Sequence, residues 1–129
     1  MTKNIRQKLQ GIQSALKAPK GQTNKFGGYK YRSAEDIVEA TKPLLGEWGC
    51  ILTISDEVVE IGARVYVKAT ACITDTEHDN SIFTTAYARE AEVKKGMDEA
   101  QITGSASSYA RKYALNGLLC IDDTKDPDA

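Results

Sequence analysis

Apolar residues recur along the chain with two spacings, and each predicts a different kind of element. Ile5, Leu9, Ile12 and Leu16 fall three or four apart, which predicts an amphipathic helix over residues 3–17 whose other faces are Lys, Arg, Gln and Asn. Ile37, Val38, Thr41, Leu44, Leu45 and Trp48 repeat that period in a second helix, which Ser33 is placed to cap with Asp36 three residues on. Pro43 predicts a kink in it, and Gly46 or Gly49 its end. From Cys50 to Glu90 the period becomes two. Ile51–Ser55 and Val58–Ile61 read as short strands before a turn at Gly62. Val65, Val67, Ala69, Ala71 and Ile73 then share one face, with Arg64, Tyr66, Lys68 and Thr70 on the other. After a polar turn at Asp75–Ser81, Ile82, Thr84, Ala86 and Ala88 face in, opposite Phe83, Thr85, Tyr87 and Arg89.

The last element returns to the helical period. Asp98 with Gln101 makes an N-terminal cap, Asn116-Gly117 a left-handed stop, and the seventeen residues between contain no proline. Ile102, Ala106, Tyr109, Ala110 and Tyr113 fall on one side, small enough for a sheet to approach. Gln101, Gly104, Ser108, Arg111 and Lys112 fall on the other, a ridge of small polar residues ending in two cations. The fold expected is α+β: an antiparallel β-hairpin sheet of three to four strands backed by a long helix, with N-terminal helices. A chain of 129 residues reads as one domain. It divides into a basic helix and arm (1–32), a sheet-and-helix core (33–123) and an acidic tail (124–129).

Composition changes that picture in two places. Cys50, Cys72 and Cys120 are odd in number and widely spaced among apolar neighbours, so they read as buried free thiols in a reducing compartment rather than a zinc site. No apolar run reaches the length of a membrane span, and the N-terminus lacks the apolar centre of a signal peptide, so a soluble cytosolic protein is expected. The formal net charge of −1 conceals an asymmetry: residues 1–32 carry eight bases and no acid, leaving nine bases against all 18 acids in the remainder. A segregated basic arm suits an anionic ligand, and equally suits docking on the acidic body of a neighbouring subunit.

Within the arm, cations alternate with aromatics around Gly27-Gly28: Lys25, Phe26, Tyr29, Lys30, Tyr31, Arg32. One reading is a hairpin with its rings packed inward. The other, favoured because no acid is present to pair the cations, is an arm that neutralises phosphates and offers rings to unstacked bases. Arg111 and Lys112 likewise complement the negative end of the helix dipole or meet a phosphate backbone. Lys94 and Lys95 either extend the cationic surface or pair with Glu90 and Glu92. His78 lies in a turn with Asp75, Glu77 and Asp79 that lacks the glycine and terminal glutamate of a calcium loop, so it reads as a solvated hairpin turn. There is no phosphate loop and no nucleophile elbow. Glu92-Val93-Lys94 matches half of a metal-nuclease signature, for which Asp56 or Asp75 would have to serve as the upstream acid. No catalytic residue, metal ligand or cofactor site is assigned. Gly and Ser at the centre of the last helix are too short to read base edges, so sequence-independent contact with a single strand is the better match.

FGGYKYRSAEDI, TAYAREAE and above all GMDEAQITGSASSYARKYALNGLLCIDD resemble the phage essential recombination function (Erf) family of single-strand annealing proteins, over about residues 24–126. The resemblance implies a hairpin sheet backed by a long helix, assembled as a homo-oligomeric ring or filament in the cytoplasm of a bacterial host. It implies binding of single-stranded DNA between sheet and helix and pairing of complementary strands without ATP, in phage homologous recombination. Carried onto this chain, the groove takes Arg111 and Lys112 with Ser108 and Gln101 on the helix. Lys25, Lys30, Tyr31 and Arg32 join from the arm, and Arg89, Lys94 and Lys95 from around the last strand. A host single-strand-binding protein or a phage exonuclease is the kind of protein partner implied. Related proteins commonly run on into a polar linker and C-terminal element, so this chain reads as a short member or the core of a longer one. The rivals are a metal-dependent nuclease and a structural oligomer that binds no DNA.

Overall fold

The structure, a computed structural model, describes residues 3–23, 30–90 and 99–121, the side chains of Lys30 and of residues 99–101 excepted. Helix α1 (Ile5–Ala15) begins on a reciprocal cap in which the Gln7 amide donates to the Asn4 side chain and the Asn4 amide to that of Gln7, both at 2.9 Å. Its buried face is Ile5, Lys8, Leu9 and Ile12. Two-residue strands β1 (Gln22–Thr23) and β2 (Lys30–Tyr31) pair antiparallel. Helix α2 (Ala34–Trp48) carries the expected Ser33/Asp36 cap, runs on through Pro43 and ends at Gly49, whose φ of 64° is the left-handed conformation glycine adopts freely. Gly11 is where α1 and α2 cross. A Cβ there would run into Cζ2 of Trp48, so only a bare backbone admits the indole.

Strands β3 (Cys50–Ile61), β4 (Arg64–Asp75) and β5 (Ser81–Arg89) form one antiparallel sheet in the order β3-β4-β5. The break expected between two short strands near Asp56 does not occur. Glu57 stands opposite Lys68 and Asp56 opposite Ala69, so complementary charge carries the ladder through the polar residues. The two-residue hairpin turn is made at Gly62, with φ 62°. The alternation read from β4 and β5 holds: Val67, Ala69, Ala71 and Ile73 are buried, while Phe83, Thr85, Tyr87 and Arg89 are exposed.

Helix α3 (Glu99–Leu119) lies on the buried face of the sheet. Ile102, Ala106, Ala110 and Ala114, four apart, make its buried stripe, and the Thr84 hydroxyl donates to the Ala114 carbonyl at 2.6 Å. Toward its C-terminus the helix is enclosed on its other side as well, where α1 and α2 pack on it. The stop at Asn116-Gly117 is overrun by three residues. Cys120, at φ 60°, takes the left-handed position, and the Ile121 amide closes the helix on the Asn116 carbonyl at 3.0 Å. Cys50 is buried as expected, but Cys72 is half-buried and Cys120 exposed. Among the described residues no helix is long and apolar enough to cross a membrane.

The turn from β4 to β5 is not simply solvated. Asp75 is 0% exposed; its Oδ1 accepts from Lys8 Nζ and from the Glu77 amide, each at 2.9 Å, and Oδ2 lies 3.1 Å from His78 Nδ1. This cluster pins α1 to the sheet. The basic arm and acidic body therefore meet within one chain at this point.

Candidate nucleic-acid interface

Of the cations singled out in the sequence, Arg111 and Lys112 on α3 are adjacent and yet reach different surroundings. The Arg111 guanidinium bonds through Nε to both oxygens of Asp56 on β3, at 3.0 and 3.1 Å, and Ser107 donates to the same carboxylate. Burial pushes the Asp56 carboxyl up, but the hydrogen bonds from Arg111 and Ser107 and the Arg111 charge outweigh it and hold the group below its ordinary range. Arg111 also borders a hollow of about 130 Å³ with Glu35, Val38 and Glu39 of α2. Its immediate surroundings are thus acidic.

Lys112 was expected on the solvent side of α3 and is 4% exposed. Its Nζ lies 5.9 Å from the centre of the Tyr31 ring, a cation–π contact that joins α3 to β2. The periodicity of one helix cannot reveal that a second layer covers its far side. Arg32 is buried too, its Nε donating to the Ala18 carbonyl at 2.8 Å, which fastens β2 to the segment after α1. Ser108 is exposed, as is Gly104, so the small-residue ridge exists, but it ends in Arg111 alone. Lys30 lies in β2 and Gln101 in the first turn of α3, neither with a described side chain. Lys25, Lys94 and Lys95 lie outside the described residues, as do the arm's Gly27-Gly28 turn, the Asp98 cap and the acidic tail.

Arg89 has a different setting. It ends β5 on the face of the sheet turned away from the helices, directly opposite Tyr66 on β4. Two residues along, Tyr87 stands opposite Lys68. Arg64 continues the row beyond Tyr66, and Phe83, 64% exposed, stands opposite Cys72. Cations and rings therefore alternate both along and across the strands on a face that no described helix covers. Among the described residues its one carboxylate is Glu57, with Lys68 opposite it. Period-two alternation placed these side chains outward together, but only pairing register shows which stand side by side.

A family model described as the ERF superfamily matches residues 5–129. The chain belongs to the ERF superfamily. Over 128 residues this ERF chain is 61% identical to the "Essential recombination function protein" of Salmonella phage P22, a match covering 99% of the chain and 60% of that protein. It spans about three-fifths of the length of that relative. No solved structure matches it. The family resemblance read from the SYARKYAL segment is borne out, and the segment's position is now physical. Of its cations, Arg111 ties α3 to β3 and Lys112 ties α3 to β2. Either upstream acid that the nuclease reading could use has a cationic partner, Asp56 with Arg111 and Asp75 with Lys8, while Glu92 and Lys94 of that signature lie outside the described residues.

Proposed function

We propose that this ERF chain binds single-stranded DNA independently of sequence and anneals complementary strands without ATP, as part of phage homologous recombination. The observation that carries the reading is the face of the sheet that no described element covers, where Arg64, Lys68 and Arg89 alternate with Tyr66, Tyr87 and Phe83. Cations at that spacing neutralise a phosphate backbone, while the rings accept the faces of whichever bases pass over them. Contact through phosphates and base faces leaves the base edges unread, which suits a strand that must stay free to meet any complement. Membership of the superfamily and the name of the phage P22 relative support placing the activity in recombination.

Work of this kind needs concentration and alignment of strands rather than bond chemistry. A second copy of the chain extends the surface, and many weak contacts then add as avidity. Support for such assembly comes from the edge of β3, unpaired among the described residues, and from Val58 and Ile61, both exposed near the tip of the β3–β4 hairpin. Two labelled complementary strands mixed with the protein, magnesium and no ATP provide the test. The expected result is faster duplex formation with both strands intact. Cleaved strands, or a rate equal to that of the DNA alone, would overturn the reading.

A further inference from the structure

Where the open face of the sheet meets α3, along the edge of β5, lies a half-open hollow of about 300 Å³. Tyr87 and Arg89 border it from the strand, Tyr109, Tyr113 and Ser105 from the helix, and Ile102 and Ala106 close its floor. Three phenol rings around one small cavity are unusual for a core. Here Tyr109 is 41% and Tyr87 50% exposed, so the rings stand at a mouth and not in the interior. The volume sits at the low end of small-ligand sites, about 300–1,000 Å³, which suits one flat ring system. Arg89 supplies positive charge at the rim. Glu90 donates its amide to the Val65 carbonyl at 2.8 Å, so the alternation of an antiparallel ladder turns the backbone groups of Tyr87 and Arg89 away from β4, toward the free edge. The hollow thus offers stacking surfaces, a cation and backbone donors and acceptors that no described strand pairs.

We infer that this tyrosine-lined hollow holds one nucleobase turned out of a single strand that runs along the sheet face. The inference rests on the single-strand reading above. Tyr87 and Arg89 belong to both surfaces, so a strand crossing the face reaches the hollow without a break. An apolar floor and rings recognise a base by its π-face, which every base has, so occupancy does not require a particular sequence. One base held per subunit would fix the strand in register while its neighbours remain free to pair.

The full chain is irradiated with an oligonucleotide carrying 5-iododeoxyuridine in place of thymidine, and the crosslinked peptides are mapped. Crosslinks at Tyr109, Tyr113 or Tyr87 are expected. In parallel, Tyr109→Ala should weaken binding of the same unmodified oligonucleotide by about tenfold with no change in its salt dependence, because stacking and not charge is lost. Tyr109→Phe should restore the affinity. Crosslinks confined to Phe83 and Tyr66, with Tyr109→Ala binding normally, would overturn the hollow while leaving the sheet face standing. A change in assembly mass in place of affinity would overturn it in favour of a contact between copies. Absence of binding by the unaltered chain would overturn both readings.

Discussion

Lys8 occupies a position where helical periodicity asks for an apolar side chain, and it is tolerated because Asp75 meets it at 2.9 Å. The hydrogen bond from Lys8, with those from the Glu77 amide and His78, holds the Asp75 carboxyl well below the usual carboxylate range, despite burial pushing it up. The same bond raises Lys8. A depressed acid stabilises the fold above its unfolded pKa, near 3.9, and the contribution is lost as pH falls below that toward the folded value. A raised base contributes fully below its unfolded pKa, about 10.4, and loses the contribution as pH rises through the folded value. Asp75→Asn leaves the buried Lys8 ammonium with the longer pairing to Glu77, at 3.6 Å, in place of its hydrogen-bonded carboxylate, so it should lower Tm at neutral pH by roughly 10 °C. It should also flatten the decline between about pH 4 and pH 2, as thermal melts across pH will register. An equal acid decline in both proteins would mean another carboxylate governs it. Asp56 and Arg111 are more open to solvent, and Asp56→Asn should cost only about 1 kcal/mol in urea unfolding.

Two glycines in helix interiors separate propensity from packing. Gly104 faces open space, so Gly104→Ala should gain about 1 kcal/mol from helix propensity alone. Gly11→Ala makes the same gain but drives a methyl into the Trp48 ring, and overpacking of this kind costs about 1–3 kcal/mol, so a net loss is expected. Denaturant titration of both variants decides it; equal and opposite effects are not required, only opposite signs. These two helices also mark how far the sequence could be read. The outward and inward residues of β4 and β5, the cap of α2 and the family resemblance were all legible, because each depends on neighbours within a few residues. What was not legible depends on a second element. Nothing near Lys112 in sequence announces Tyr31, nothing near Arg111 announces Asp56, and the end of α3 moved past Asn116-Gly117 because Leu118 and Leu119 are buried in the core. The period places Tyr109 toward the core, yet it stands at the mouth of a hollow, since the stripe Ile102, Ala106, Ala110 and Ala114 makes the contact with the sheet.

At the scale of the whole molecule, the charge asymmetry that first suggested an anionic ligand is partly spent inside the chain. Lys8 is tied to Asp75, Arg32 donates to the Ala18 carbonyl, and Lys3 lies 5.5 Å over the Trp48 ring. Among the described residues, the cations that stand beside exposed aromatics on an uncovered surface belong to the sheet, not to the helix ridge. Basic residues would then divide between two roles: the α3 cations Arg111 and Lys112 hold layers together, and under the proposed function the sheet cations meet the single strand. Salt dependence of single-strand binding distinguishes them most directly, since each phosphate contact removed lowers the log–log slope by about 0.7. Measured on the full chain with one oligonucleotide, Lys68→Ala and Arg89→Ala should each flatten the slope by about that amount, while Arg111→Ala leaves it unchanged. A slope flattened by Arg111→Ala and untouched by the two sheet substitutions would contradict the account and place the strand on the helix.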